Sequence, residues 1–271
     1  MKGVMREMKK YKGIARNEFM AALTYREHFI TSFFTELLFF VVLYFLWKAI
    51  YAGTSGTIAG MTMQQTYVSI SLSICLLRCL SGVIEWEMHF QMIQGDIIMK
   101  MVKPLDYMYQ MLWMKIGGMI VNLITYLIPV FTVIILLFPG VIRLGANIPI
   151  FVICMCISFL VMFTFEFMIG VFTFYTESVW GLSTIKELII SFFAGVQVPI
   201  AFFPDWLKSI AGVLPFKSLY NDPLQILLNR NMELADYGRV IAFQLLWGGL
   251  FWFLSRMMYA VMQKKIIVNG G

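Results

Sequence analysis

Three ionisable side chains, Glu36, Arg78 and Glu166, lie within long apolar stretches of the sequence. A charge at the depth of a lipid bilayer costs roughly 2.5–3.5 kcal/mol on insertion scales, so such a group normally has a partner. At a helical rise of about 1.5 Å per residue, the three lie at a similar depth, and we predict that Arg78 pairs with Glu36 or Glu166. The alternative is that the long stem of Arg78 carries its charge to the membrane surface. Uncharged polar residues in such stretches are Asn122, Gln197 and Gln244.

Motifs for catalysis and nucleotide binding are absent from the sequence. No Gly-Lys dipeptide occurs, so there is no Walker A phosphate loop, and there is no His-Glu-x-x-His zinc motif. No Gly-x-Ser-x-Gly nucleophile elbow occurs either. We therefore expect no enzymatic activity, no directly bound cofactor or metal, and no nucleic-acid partner. The four cysteines, which we interpret as buried thiols, are Cys75, Cys79, Cys154 and Cys156.

The composition is that of a polytopic membrane protein. Of its 271 residues 60% are hydrophobic and 13% charged, and the mean hydropathy is +0.80. Backbone polar groups in lipid must be satisfied internally, which favours helices, and the absence of period-2 alternation argues against an outer-membrane barrel. We predict an all-α fold, as a single domain over 1–271. Six stretches approach or exceed the length needed to span a bilayer: 30–51, 64–84, 112–138, 147–172, 184–200 and 240–262.

Positive charges near the ends of these stretches predict the orientation. Seven Lys and Arg residues precede the first stretch, and the loop 52–63 has none. Lys and Arg concentrate on the cytosolic side, so we expect both termini in the cytosol of a cell with a bacterial-type plasma membrane. The segment 201–239 departs from this rule, but its basic and acidic residues balance: Lys208, Lys217, Arg230 and Arg239 against Asp205, Asp222, Glu233 and Asp236.

The N-terminal segment 1–27 predicts an amphipathic helix at the cytosolic membrane surface. Lysines and arginines occupy one side, and apolar residues recur at helical spacing on the other. Such a helix either anchors the chain only or also contacts a cytosolic partner. The apolar positions are Met8, Tyr11, Ala15, Phe19 and Ala22.

The segment 85–107, "EWEMHFQMIQGDIIMKMVKPLDY", is too polar to span a membrane and too apolar to lie free in water. We expect a cytosolic helix with an apolar face, bent at Gly95 and ended by Pro104. This helix either packs on its own bundle or docks in a groove of a cytosolic protein. The predicted apolar face consists of Trp86, Phe90, Ile93, Ile97 and Met101.

The segment 201–239 follows the fifth apolar stretch and is interrupted by prolines. We expect that stretch to end between Pro199 and Pro204, since neither has an amide hydrogen. Asp205 is predicted to cap a short helix that continues through Trp206 and ends at Pro215. A second short helix is predicted to start at Asp222. The pair either dips into the outer leaflet as a gate, with breaks covered by protein or water, or only anchors the last helix.

The chain resembles the permease subunits of type-2 ABC exporters, and is similar to the six-helix branch of viologen and drug exporters. The resemblance rests on "YFLWKAIY", "IQGDIIMKMVKPLDY", "FFPDWLKSIAGVLPFKSLYNDPLQILL" and the terminal "VNGG", in that order. It implies a dimer with the same chain or a sister permease, and a separate ATPase subunit that binds ATP and magnesium. It also implies that the N-terminal helix braces the ATPase and that the outer pair is re-entrant. ATPase-coupling residues would then be Trp86, Phe90, Gly95, Asp96, Lys103 and Pro104.

These observations together predict a permease that moves an amphiphilic drug, lipid or peptide out of the cytosol, driven by a partner ATPase. The alternatives are an ATP-independent channel or secondary carrier, and a membrane scaffold subunit. The small number of ionisable residues in the apolar stretches argues against a proton-coupled carrier.

Overall fold

The computed structural model describes residues 2–24, 26–54, 56–142, 145–176, 178–229 and 232–269. Arg230 and the last two glycines of "VNGG" lie outside these ranges. The structure is 82% helical, and the one sheet among the described residues is a small hairpin of β1 (Thr57–Ile58) and β2 (Met61–Thr62). The prediction of an all-α polytopic membrane protein is therefore confirmed.

The helices follow in chain order. The first half contains α1 (Lys2–Thr24), α2 (Arg26–Ala52), α3 (Met63–Leu80), α4 (Ile84–Ile93), α5 (Asp96–Val102), α6 (Tyr107–Asn122), a π-helical turn (Leu123–Leu127) and α7 (Ile128–Leu137). The second half contains α8 (Ile148–Phe172), α9 (Val179–Phe193), a 3₁₀ turn (Ile200–Phe202), α10 (Asp205–Val213), α11 (Pro215–Leu228) and α12 (Leu234–Asn269).

Among the described residues, five helical segments are long and apolar enough to cross a membrane, whereas the sequence predicts six. The predicted stretch 184–200 forms only α9, which has 15 residues. It ends well before Pro199 because Gly195 adopts a left-handed conformation, with φ +70°. The amides of Gly195 and Val196 then donate to the carbonyls of Phe192 and Ser191, which is a Schellman end. The five segments are Phe33–Ala52, Met63–Ile93, Tyr107–Leu137, Ile148–Phe172 and Leu234–Lys264.

The segment 85–107 divides between the bundle and its end, contrary to the prediction of one cytosolic helix. Its first part belongs to α4, which packs against α8 and buries Glu85 and Met88 completely. Gly170 of α8 permits this close approach, because a Cβ atom there would lie 3.3 Å from Cα of Glu85 and would clash with Met88 Sδ. Only α5 and its flanking residues form a connection at the end of the bundle, which we call the α5 end.

Helix α1 packs lengthwise on α6. Ala15, on the predicted apolar face, is buried, and a Cβ atom at Gly117 would lie 2.5 Å from its carbonyl oxygen. The Tyr11 hydroxyl accepts a hydrogen bond from the amide of Asp106 at 3.1 Å. Tyr11 also contacts Tyr109 edge to face, at 6.2 Å between ring centroids. The N-terminal helix is thus joined to the same α5–α6 corner that carries the predicted coupling residues.

Candidate functional site

Four charged side chains meet inside the bundle, one from each of four helices: Glu85 of α4, Lys115 of α6, Glu166 of α8 and Lys186 of α9. Lys115 Nζ lies 2.8 Å from Glu166 Oε2, and Lys186 Nζ lies 2.5 Å from Glu85 Oε1 and 3.8 Å from Glu166 Oε1. No side chain of the four is more than 4% exposed. Two positive and two negative groups alternate, so the formal charges of the cluster sum to zero. We call these four residues the buried charge cluster.

Hydrogen bonds from the α3–α4 junction and from α9 complete the cluster. The amide of Gly82 donates to Glu166 Oε1 at 2.6 Å, and a Cβ atom at Gly82 would lie 3.0 Å from Glu166 Oε2. The Ser183 hydroxyl donates to Glu85 Oε1 at 2.8 Å and accepts from Trp86 Nε1 at 3.0 Å. Charge-assisted bonds of this kind are short and strong, so the cluster fixes the relative positions of four helices.

Of the two partners predicted for Arg78, the structure places Glu36 beside it and not Glu166. Glu166 pairs with Lys115 and Lys186 rather than with Arg78, because its helix face points toward α6 and α9. Arg78 instead lies beside α2, with Nη2 3.5 Å from Glu36 Oε2. Its side chain remains 61% exposed within the protein, whereas that of Glu36 is 10% exposed.

Sequence reasoning missed three of the four members of the buried charge cluster. Lys115 and Lys186 lie inside the predicted apolar stretches 112–138 and 184–200, so their signal was present as single charges in apolar surroundings. Glu85 was assigned to the cytosolic loop because it follows the predicted end of the second stretch. The remaining polar candidates differ in surroundings. Asn122 donates to the carbonyl of Arg78, Gln244 is buried and donates to Ser158 and the carbonyl of Ser218, and Gln197 is exposed.

The α4–α5–α6 corner holds the predicted coupling residues in a fixed frame. Gly95 caps α5 in a left-handed conformation, with φ +76°, which glycine adopts without strain. Lys100 of α5 lies 3.2 Å from Glu87 of α4. The side-chain amide of Gln110 donates to the carbonyls of Lys100 and Leu105, both at 3.1 Å. The connection is therefore tied to the bundle on both sides.

Part of this corner is apolar and uncovered. Met99 is 72% and Val102 79% exposed, and Ile93 and Ile98 are exposed as well. The face differs from the predicted one, because Ile97 is buried in the bundle and Met101 is half-buried. We call Ile93, Ile98, Met99 and Val102 the α5 surface. Of the predicted coupling residues, Phe90, Gly95, Asp96, Lys103 and Pro104 are exposed beside it, whereas Trp86 points into the bundle toward Ser183.

The predicted outer gate forms two helices whose boundaries differ from the prediction. Pro204, not Asp205, occupies the cap position of α10, and the Asp205 carboxylate bonds Lys208 at 3.3 Å instead of capping. Helix α10 ends directly before Pro215, as predicted, and Pro215 also begins α11, since its fixed φ suits the first helical turn. Pro199 precedes the 3₁₀ turn, and Trp206 is exposed.

Helix α11 is part of the core rather than a surface hairpin. It runs antiparallel beside α8: Asn147 at the start of α8 donates to the Ile226 carbonyl at 2.7 Å, and Phe165 near its end contacts Phe216, with ring centroids 5.5 Å apart. Leu219, Tyr220 and Leu227 are fully buried. The hydroxyl of Tyr220 lies 3.1 Å from that of Ser81, at the break between α3 and α4. Helix α11 therefore packs beside the same break that supplies Gly82 to the buried charge cluster.

The fold defines a polytopic α-helical membrane protein. A family model for "ABC-2 family transporter protein" matches residues 37–266, most of the chain. The chain belongs to this family, which confirms the predicted resemblance to type-2 ABC permeases. No curated protein matches the sequence.

Proposed function

We propose that this chain is the permease subunit of an ATP-driven exporter and that a separate ATPase subunit docks on the α5 surface. The observation that carries the proposal is that surface itself: four exposed apolar side chains on a rigidly held corner. Exposed apolar patches mark contacts with other proteins or with a membrane, and we assign this one to a protein because α5, with seven residues, is too short to span a bilayer. Met99 adds an adaptable side chain suited to such a contact.

The position of the α5 surface suggests how force would reach the transport path. Helix α4 leads directly into α5 and carries Glu85 of the buried charge cluster. A push on α5 is therefore transmitted to α6, α8 and α9 through ion pairs, without a flexible linker between them. This coupling is mechanical, and it places no nucleotide chemistry on this chain. ATP and magnesium would be bound by the partner ATPase.

The remaining parts of the proposal concern assembly and direction. We infer that two permeases associate, either two copies of this chain or this chain with a sister permease, in a bacterial-type plasma membrane with both termini cytosolic. The α10–α11 pair would then enter the membrane from outside and limit the outer end of the path. The exported substrate would be an amphiphile, such as a drug, lipid or peptide.

Co-purification with an ATPase tests the docking surface. The tagged full chain is expressed with an ATPase subunit that carries Gly-x-x-x-x-Gly-Lys-Ser/Thr, and the complex is quantified in detergent. Met99→Glu and Val102→Glu should each reduce the recovered ATPase roughly tenfold or more, since a charge is placed in an apolar contact. Leu136→Glu is the control. It places a glutamate at another strongly exposed apolar position, within a predicted span, and shows how a general insertion defect changes the recovery of the ATPase.

Transport measurements separate docking from coupling. Gly95→Trp and Asp96→Lys should reduce transport more than they reduce expression or insertion. Full transport by these variants and by Met99→Glu, with normal ATPase recovery, would overturn the assignment of α5 as the coupling element.

One observation favours a second candidate, an ATP-independent carrier. The sequence predicts three ionisable groups within the apolar stretches, and the buried charge cluster adds three more: Glu85, Lys115 and Lys186. Such groups occur in proton relays. A carrier would transport without any ATPase and would respond to a pH gradient. Loss of transport when the Walker A lysine of the partner ATPase is replaced would exclude this alternative.

A further inference from the structure

A cavity of about 440 Å³, open to its surroundings like a groove, lies beside α11, between α10 and the first part of α12. Its size is in the range typical of small-molecule sites. The surrounding protein is strongly apolar, but most of the side chains that line the cavity are polar. The polar and charged lining residues used below are Lys217, Asn221, Asp222, Gln225, Asp236 and Arg239.

The polar lining follows one face of α11. Lys217, Asn221 and Gln225 are four residues apart, so they form a single stripe along the helix. The opposite face, with Leu219 and Leu227, is buried in the core. A polar stripe on a helix that packs within a membrane bundle requires water or a polar ligand, because lipid cannot satisfy it. The cavity provides that space along the whole stripe.

The charges of the cavity form two pairs of opposite sign. Lys217 Nζ lies 3.5 Å from Asp222 Oδ1, and both side chains are partly buried. Arg239 Nη1 lies 3.3 Å from Asp236 Oδ1 at the more exposed end. Burial raises the pKa of the Asp222 carboxyl, against the opposing effects of Lys217 and Asn221. Asp222 Oδ1 also accepts a hydrogen bond from the side-chain amide of Asn221 at 3.2 Å, and a second cation in the cavity would add a further favourable contact to this carboxylate.

We propose that this cavity binds a zwitterionic head group, one that carries an ammonium and a phosphate or carboxylate. The anionic part would contact Lys217 and Arg239, and the ammonium would contact Asp222 and Asp236. The cavity has two positive and two negative side chains. A zwitterion can contact both signs at once, whereas an anion or a cation alone would also lie near side chains of its own sign. The proposal rests on the exporter function proposed above, since it assigns the class of head group that passes the outer end of the path.

Cysteine protection in lipid nanodiscs tests the proposal. The full chain without its native cysteines receives Gln225→Cys as a reporter in the cavity, with Met232→Cys, another lining position, as a second reporter. The discs contain only anionic phosphatidylglycerol, except where phosphatidylethanolamine is added as a probe. A charged thiol reagent then labels the cysteines. Lys208→Cys, on α10 but outside the lining, is the matched control. Binding is measured without ATPase or nucleotide, so its outcome is independent of whether the chain couples to an ATPase.

Four probes distinguish the chemistry and its source. Glycerophosphoethanolamine supplies the zwitterion in solution, and phosphatidylethanolamine supplies it within the disc; glycerol phosphate and ethanolamine supply the single charges. We expect a zwitterion to slow labelling of the reporters and not of Lys208→Cys. Protection by the soluble probe would indicate a soluble cargo head group, and protection only by the lipid a membrane lipid.

Two variants test which residues bind. Asp222→Asn and Lys217→Met should each raise the half-protecting concentration roughly tenfold or more, as expected for one lost charge-assisted hydrogen bond. Equal protection by glycerol phosphate or by ethanolamine, no protection by any probe, or protection unchanged in both variants would overturn the proposal.

Discussion

Lys115 on α6 and Glu166 on α8 form an ion pair of 2.8 Å inside the bundle, 51 residues apart in sequence. The pair is shielded from solvent on all sides, and Lys115 also lies over the ring of Phe159, 5.2 Å from its centroid. Through Lys186 the pair continues to Glu85 on α4. Helix α4, which leads into α5, is thus linked to α6, α8 and α9 by one chain of buried charges.

Removal of one member of this pair should destabilise the protein more than removal of both. Lys115→Met leaves a buried carboxylate with only one cation, and Glu166→Gln leaves a buried ammonium, each at a cost of about 3–5 kcal/mol. The double variant should lose less than the sum of the two. Unfolding of the purified chain in mixed micelles measures all three. Lys208→Met, in an exposed pair, should change the free energy of unfolding by less than about 0.5 kcal/mol. Additive losses would contradict the pairing.

Two adjacent glycines of α6 should respond oppositely to alanine. A Cβ atom at Gly117 would lie 2.5 Å from the carbonyl oxygen of Ala15, whereas Gly118 has no atom within 4 Å. Gly117→Ala should therefore push α1 away from α6 and lower the melting temperature. Gly118→Ala should be neutral or stabilising, by up to about 1 kcal/mol, from helix propensity. Thermal unfolding followed by circular dichroism provides the comparison, and equal effects would contradict the close packing of α1 on α6.

Arg78 should face water rather than lipid. It is exposed and lies in a predicted span, where charged groups normally face a water-filled cavity or the bundle interior. In a background without native cysteines, Arg78→Cys should react with a charged thiol reagent. Leu38→Cys, similarly exposed on α2 but expected to face lipid, should not. Failure of Arg78→Cys to react, with normal insertion, would place Arg78 against lipid or under another subunit.

Accessibility should distinguish the two helices of the predicted outer gate. Ile210 on α10 is 44% exposed, whereas Leu227 on α11 is 1% exposed. Ile210→Cys should therefore label readily with a polar thiol reagent added from outside, and Leu227→Cys should be protected at rest. A change in either rate during ATP turnover would support gating. Labelling of Ile210→Cys that is unaffected by nucleotide, together with constant protection of Leu227→Cys, would reduce the pair to an anchor.

Local sequence signals predicted some boundaries correctly and others wrongly. Pro215 separates α10 from α11, as its missing amide hydrogen requires. The Asp222–Pro223 pair looks like a helix start, yet it lies inside α11, because Pro215 had already begun that helix and tertiary packing maintained it through Pro223. The end of α9 depended on Gly195, a signal that the sequence contained but that the nearby prolines obscured.

What the sequence determined by itself is the class of structure. Hydropathy over 20-residue stretches requires helices, since lipid offers no partners to the backbone, and this predicted five of the six stretches correctly. Which charges pair was decided only by the tertiary structure. The buried charge cluster takes its four residues from helices that are distant in sequence. Spacing along the sequence gives the depth of a side chain but not the direction in which its helix face points. Gly117 and Gly170 allow neighbouring backbones to approach, and Gly82 leaves room for the Glu166 carboxylate. Their role becomes visible only when the neighbouring helix is in place.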